Sequence, residues 1–409
     1  MLNLIWLSFF FIAFITGLYR LFFLGDLNIF TEMTLATFSL SKTAFEIALG
    51  LTGILCFWMG MMKIGEKSGF IESLTRFLSP LLQKLMPEVP KNHPAFGAIV
   101  MNLSANMLGL DNAATPLGIK AMQKLQELNP VKDTASNAQI LFLVINTSAV
   151  TLFPITIFTY RAQMGASDPT DVFIPILIAT YASTMAGLIA VATVQRLNLW
   201  NITVMSYLSA FTLLVGSLLY YFSGLEQQQM QQQSSLFSNF IIFTLIISFM
   251  LGAYRKHINV YESFIEGAKE GFQTAITIIP YLVAMLVAIG VFRASGALDI
   301  LLESLRLLLN NFSIDSRFVD GLPTALMKPL SGSGARAMMI ETMRVEGADS
   351  FAGRLSSIVQ GSTETTFYVL AVYFGAVGIK NARHAVTCGL FADFIGIIVA
   401  ILVCYLFFT

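Results

Sequence analysis

Apolar runs of roughly twenty residues, the length that spans a bilayer's hydrocarbon as a helix, recur along this chain at 2–24, 44–62, 139–160, 172–194, 202–222, 236–254, 275–292, 356–377 and 384–408. Water does not reach backbone polar groups at that depth, so each run must close its own hydrogen bonds as α-helix. The composition agrees: 56% of residues are hydrophobic and 12% charged, with a mean hydropathy of +0.73, whereas a soluble domain carries about a quarter charged residues. An all-α polytopic membrane protein is the expected fold class. The first run has no basic leader and no small-residue cleavage site, and it is too long for the core of a signal peptide, so it reads as a membrane helix.

Polar breaks interrupt this pattern in four places. The most abrupt is Leu330-Ser331-Gly332-Ser333-Gly334-Ala335-Arg336 with Lys328 and Pro329 before it; glycine and serine weaken a helix, proline removes a donor, and lipid rejects the two cations. Residues 95–110 and 117–128 are each too short to cross easily and are separated by Asp111-Asn112-Ala113-Ala114-Thr115-Pro116, the pattern of a re-entrant hairpin. The runs 139–160 and 356–377 contain Asn146-Thr147-Ser148 with Pro154, and Gln360-Gly361-Ser362-Thr363-Glu364-Thr365-Thr366. Irregular backbone at membrane depth survives only where protein covers it or water fills a cavity beside it.

Between these lie a mixed stretch at 25–42, amphipathic stretches at 63–91 and 298–309 suited to the membrane interface, and a glutamine-rich tract at 226–235 expected to be a solvated loop. Pro87, Pro90 and Pro94 are expected to end the first amphipathic stretch. From residue 267 the order of span, amphipathic stretch, broken hairpin, broken span and span repeats that of 44–200. Residues 65–70 parallel 292–297, and 146–153 parallel 360–367. The expected organisation is an N-terminal helix and loop at 1–43, a first repeat at 44–200, connecting helices at 201–266 and a second repeat at 267–409. Arg196 and Arg255-Lys256-His257 mark a cytoplasmic side, as do Lys380 and Arg383, because cations near span ends stay inside. The N-terminus then lies inside and the C-terminus outside, with about nine crossings, two hairpins and repeats of opposite orientation. Arg293, Arg306, Arg317 and Arg344 run against this rule by falling outside.

Net charge is +0 with no basic block, which argues against a nucleic-acid partner. Cys56, Cys388 and Cys404 sit in apolar stretches, and His93, His257 and His384 have no ligand spacing, so neither a disulfide framework nor a metal site is expected. Trp6, Trp58 and Trp200 suit interface anchors.

Inverted repeats with interrupted helices gather their breaks near the midplane, where secondary transporters bind solute. The candidate binding residues are Asn102, Asn106, Asp111, Asn112, Asn146, Thr147, Ser148, Ser331, Ser333, Arg336, Ser362, Thr363, Glu364 and Thr365. Hydroxyls and amides of this kind also serve as interhelical glue. Arg336 and Lys328 have Glu341 and Asp320 as alternative partners, and Asp393 has Arg383 or His384. Glu364 and Asp111 carry the stronger functional expectation, since an intramembrane carboxylate is costly. Ser333 and His384 outline the serine–histidine dyad of an intramembrane serine protease, a remote alternative; Ser331 stands where a Gly-x-Ser-Gly signature wants glycine, so no enzyme activity is expected.

The stretch from Asn102-Leu103-Ser104-Ala105-Asn106 through Asp111-Asn112 to Gly118 resembles the signature of spore maturation protein A, and Lys328 to Arg336 with Gln360 to Tyr368 resembles that of spore maturation protein B. The chain is thus similar to a fusion of the two, each with a nucleoside recognition (Gate) domain. That resemblance implies a core like those of concentrative nucleoside transporters and the membrane part of ferrous iron transporters. It further implies an elevator-type carrier of a small polar or anionic solute, nucleosides among them, in a bacterial inner membrane. It directs attention to Asn106, Asp111, Asn112, Ser331, Ser333, Arg336, Ser362, Thr363 and Glu364. The partners expected are the solute and the lipid bilayer, with coupling to sodium or protons, no other cofactor, and homo-oligomerisation left open. A non-transporting scaffold or receptor in envelope or spore-core maturation is the alternative.

Overall fold

The computed structural model describes residues 2–408 except 92, 108–110, 149–150 and 313; for 2, 71 and 111–113 it describes the backbone alone. The chain begins with α1 (Leu2–Phe23), the long α2 (Ile29–Ser68), the amphipathic α3 (Phe70–Leu85), and the short pair α4 (Pro94–Met107) and α5 (Asp111–Leu128). Next come α6 (Asn137–Thr147) and α7 (Ile155–Gln163), two pieces of one interrupted run, then α8 (Phe173–Gln195), α9 (Ile202–Ser223) and α10 (Gln227–Arg255). The remainder is α11 (Val260–Ala294), α12 (Ala297–Asn310), a 3-10 turn (Arg317–Gly321), α13 (Leu322–Met327), α14 (Gly332–Glu346), α15 (Phe351–Ser362), α16 (Thr366–Gly375) and α17 (Ala385–Phe408). Among the described residues, seven helices are long and apolar enough to cross a membrane, the architecture of a multi-pass all-α membrane protein.

Several expected boundaries move. The mixed stretch 25–42 is mostly helix, because its hydroxyls turn back onto their own helix: Ser41 Oγ donates to Thr37 O (2.7 Å) and Thr43 Oγ1 to Ser39 O (2.9 Å). The glutamine-rich tract is not a loop but the first turns of α10, consistent with glutamine's good helix propensity. Residues 111–116 do not form the hairpin turn. Asp111 opens α5 and Pro116 lies within it; residues 108–110 lie outside the described residues. Gly69, at φ +85°, separates α2 from α3, and Pro94 opens α4 rather than only ending what precedes it.

The longest helices pair antiparallel across the chain. Gly60 of α2 lies against Phe264 of α11, and a β-carbon at Gly271 would stand 2.6 Å from the Leu55 carbonyl oxygen; the glycines let the two backbones approach directly. Further along the pair, Gly290 lies against Leu40. α8 and α17 do the same, with Ser183 Oγ donating to Ala392 O (3.0 Å) and Gln195 meeting His384 Nε2 (3.0 Å). One core cluster draws residues from α2, α8, α11, α14, α15 and α17 together.

Charged side chains collect at two opposite ends. One holds Lys67 with Glu266, Lys256 with Glu72 (3.0 Å), and Lys380 and Asn381 bonded through their N–H groups to Asp133 O. At the other, Arg306 binds Asp320 (2.6 Å), Arg317 binds Asp315 (2.7 Å), and Arg344 and Arg293 share Glu341 (2.8 and 3.7 Å). The four arginines that ran against the charge rule each lie beside a carboxylate, two of them sharing Glu341. That end also carries a buried network in which Arg161 reaches Asp171 (2.8 Å) and Ala348 O (2.8 Å), while Arg354 takes the other oxygen of Asp171 (2.8 Å).

Candidate functional site

The two interrupted runs meet at their breaks. α6 stops at Thr147, and α7 resumes only after Pro154, which has no N–H to continue a helix. α15 stops at Ser362, after which Thr363 (φ −137°, ψ 164°) and Thr365 (φ −88°, ψ 93°) are extended. The Glu364 N–H donates to Thr147 O (2.8 Å), joining one break to the other. Each break is also tied to a neighbouring helical pair: the N–H groups of Leu152 and Phe153 donate to Met107 O (2.9 and 3.2 Å), and that of Phe367 to Pro329 O (3.0 Å). Backbone groups released by the interruptions are thereby satisfied by other interruptions, as a dry environment demands.

A polar cavity of about 70 Å³ sits at this junction, lined in part by Thr151, Thr156, Lys328, Arg336, Gln360 and Glu364. Lys328 is 2% exposed, and its ammonium donates to Gln360 O (2.9 Å). The Arg336 guanidinium lies 5.6 Å over the Tyr160 ring, within cation–π range. Gly332, first residue of α14, is also on the lining, and Ser331 caps that helix by accepting from the Gly334 N–H (3.0 Å). Among the described residues, two cations and a helix N-terminus thus line the cavity with one carboxylate, Glu364, an arrangement suited to an anion. Around the break the buried Gln360 Oε1, Thr363 Oγ1 and Thr365 Oγ1 have no hydrogen-bond partner, which leaves acceptors and hydroxyl donors for a ligand.

The asparagines form a separate cluster. Asn106 Nδ2 donates to Asn146 Oδ1 (2.7 Å), and Asn102 Nδ2 donates to Ala114 O (2.7 Å) and Tyr373 Oη (3.2 Å). Tyr373 in turn stacks on Phe142 with centroids 5.8 Å apart. These amides join α4, α5, α6 and α16, and Asn102 Oδ1 stays buried with no partner. Thr147, Ser148 and Ser362 donate back to their own helices, while Ser333 Oγ pairs with Ser331 Oγ at 3.3 Å. Of the predicted residues, Arg336 and Glu364 line the cavity, Thr363 and Thr365 flank it, and Ser331 and Ser333 mark the tip beside it. The side chains of Asp111 and Asn112 lie outside the described residues.

Three expected partnerships do not form. Glu341 and Asp320 are taken by Arg344, Arg293 and Arg306, so Lys328 turns inward. Asp393 does not meet Arg383 or His384; it accepts from Thr366 Oγ1 (2.7 Å) deep in the bundle. Arg383 instead donates to Ala135 O (2.9 Å), and His384 meets Gln195 at the lysine-rich end, away from Ser333 and its serine neighbour. Gln360, although part of the second break, and Thr151 and Thr156 were not among the candidates, because nothing in their local sequence distinguishes a cavity-lining polar residue from interhelical glue.

The family description "Nucleoside recognition" (Gate) matches residues 48–260 and 275–380. Spore maturation protein B of Bacillus subtilis (strain 168) is 49% identical over 164 residues, which are 40% of this chain and 90% of that protein. Spore maturation protein A of the same organism is 41% identical over 189 residues, 46% of this chain and 93% of that protein. No solved structure matches.

Proposed function

The chain belongs to the nucleoside recognition (Gate) family, and from that premise we propose that it is an ion-coupled secondary carrier of a small anionic solute. The observation that carries this reading is the junction of two broken runs around a buried cavity holding Lys328, Arg336 and Glu364. Charged groups are rarely kept at that depth without a functional task. The recurrence of long helix, amphipathic helix, short pair, broken run and long helix supports two repeats. The antiparallel pairing of α2 with α11 and of α8 with α17 supports their being inverted, as in the concentrative nucleoside transporters that the sequence resembles. In this reading the lysine-rich end faces the cytoplasm of a bacterial inner membrane, and the N-terminus lies there too.

Solute binds with its negative group against Lys328, Arg336 and the first N–H groups of α14, while Glu364 excludes a second negative charge. Small-molecule sites usually measure about 300–1,000 Å³, so a cavity of about 70 Å³ belongs to a closed arrangement that must open to admit anything as large as a nucleoside. That same small size favours a second reading, a membrane scaffold whose polar junction only holds helices together.

Single cysteines at Ser331 and Ser362, in a background lacking Cys56, Cys388 and Cys404, separate the two. An impermeant thiol reagent applied from each side, with and without ion gradients, labels a carrier from opposite sides in different conditions. Labelling confined to one side in every condition sinks the carrier and leaves the scaffold.

A further inference from the structure

Asp393 is a buried carboxylate that the cavity does not use. It is 1% exposed, midway along α17, in a helix that presents glycines on either side of it to the second break. A β-carbon at Gly389 would stand 2.9 Å from Thr366 Cγ2, and one at Gly396 would stand 2.7 Å from Thr363 Cγ2. The missing side chains let Thr363 and Thr366 press against α17 on either side of the carboxylate. One of its oxygens, Oδ2, accepts from Thr366 Oγ1 (2.7 Å), while Oδ1 is buried with no partner.

Among the described residues, the charged groups acting on Asp393 are Lys328 and Glu364. α6, α8 and α16, which also pack on α17, bring no lysine, arginine, aspartate or glutamate of their own. α15 contributes Arg354, whose guanidinium lies over the Phe408 ring at the far end of α17. α10 meets α17 at that same end, where Gln227 donates to Phe407 O. A fully buried carboxylate with one hydroxyl donor and one neighbouring ammonium is not solvated for permanent charge. Nor is it built for a hard metal cation, which takes about six oxygens. Of the other unpartnered hydroxyls, Thr365 Oγ1 faces Gly332 on the α14 side.

We propose that Asp393 is a proton-exchange site, carrying its proton on Oδ1 when the break is packed against it. When the break moves, the O–H bond gives its proton to water reaching the site, and the electron pair stays on the carboxylate, which Lys328 then compensates. Uptake of a proton from water restores the acid. Because Thr363, Thr366 and the cavity-lining Glu364 belong to one short segment, protonation of Asp393 and occupancy of the cavity bias the same element. Coupling of proton to solute rests on the carrier reading above, whereas proton exchange itself does not.

The test is a pH-difference infrared spectrum of the full chain in lipid membranes, between mildly acidic and mildly alkaline buffer. A protonated-carboxyl band that disappears on the alkaline side is expected in the wild type. It is absent in Asp393→Asn, retained at a displaced frequency in Asp393→Glu, and moved to a higher midpoint pH in Lys328→Gln, which removes the compensating cation. Size-exclusion and thermal-unfolding profiles of Asp393→Asn check its fold, and the glutamate variant keeps the test valid should the asparagine variant misfold. An identical difference spectrum in wild type and Asp393→Asn overturns the proposal. So does a sodium-dependent, pH-independent change that Asp393→Asn abolishes. If the band behaves as expected while the cysteines at Ser331 and Ser362 label from one side only, the exchange site stands and the carrier falls.

Discussion

Replacing Arg161 with leucine should be among the most damaging single changes in this chain that leave the cavity untouched. Arg161 is wholly buried at the end of α7. Its guanidinium donates to Ala348 O and Asp171 Oδ1, both at 2.8 Å, and reaches Asp349 Oδ1 at 3.3 Å. One side chain therefore holds together α7, the segment before α8 and the turn before α15. Removing one partner of a buried ion pair costs about 3–5 kcal/mol. Asp171 keeps Arg354 at 2.8 Å, which places this loss near the lower limit, about 3 kcal/mol, and the orphaned Ala348 carbonyl adds about 1 kcal/mol more. Asp171→Asn should cost about 3 kcal/mol, because it leaves the buried Arg161 with no ion-pair partner nearer than Asp349 at 3.3 Å. The double variant should lose less than the sum of the singles by at least about 1 kcal/mol. Denaturant unfolding in mixed micelles, followed by the fluorescence of Trp6, Trp58 and Trp200, measures each corner of this cycle. A stability for Arg161→Leu within about 0.5 kcal/mol of wild type, the range of an ordinary surface change, refutes the reasoning, as would strict additivity.

Other sites give smaller but distinct outcomes. Gly271→Leu puts a β-carbon 2.6 Å from the Leu55 carbonyl, short of the ordinary 3.4 Å, so α2 and α11 must part; overpacking of this kind costs about 1–3 kcal/mol, read in the same unfolding assay. Gly118→Ala drives a methyl into the Tyr373 hydroxyl and should break the Asn102–Tyr373 bond, lowering the melting temperature of the purified protein while Gly97→Ala, which meets nothing within 4 Å, does not. Arg317 holds the Asp315 carboxyl down at about 2, from an ordinary 3.8, through side-chain and backbone hydrogen bonds. A depressed carboxylate stabilises above its unfolded value and loses that contribution as pH falls through its folded one. Asp315→Asn should therefore cost under about 1 kcal/mol near neutral pH, since the pair is half exposed. The difference from wild type should shrink between pH 3.8 and about 2 in pH-dependent unfolding.

The places where this bundle is interrupted were legible because glycine, proline and clustered hydroxyls weaken helices wherever they stand, as at Pro154 and at Gly332 with Gly334. Partnerships were less legible. Asp393 lies within nine residues of His384 in sequence but meets Thr366 in space, because the glycines of α17 admit the second break and nothing local announces that approach. Lys328 was weighed against acidic partners that arginines claim more effectively, since a guanidinium fork matches a carboxylate where an ammonium does not. The asparagines at 102, 106 and 146 stood beside Arg336 and Glu364 among the candidates in the sequence, and only the geometry shows that Asn106 binds Asn146 while Asn102 binds Ala114 O and Tyr373. The glutamine tract misled through its polarity: charge and hydropathy report exposure, and an exposed segment can still be the first turns of a helix anchored by Met230 and Ser234.

The antiparallel contact of α2 with α11 reaches beyond packing. Each of these helices finds its backbone-close neighbour on the far side of the short connection at 224–226, so severing the chain there would leave two pieces, each exposing a glycine-lined stripe that only the other fits. Two such pieces made separately would have to be produced in equal amounts and find each other in the bilayer. Carrying both on one polypeptide fixes that ratio at synthesis and spares the membrane any unmatched half.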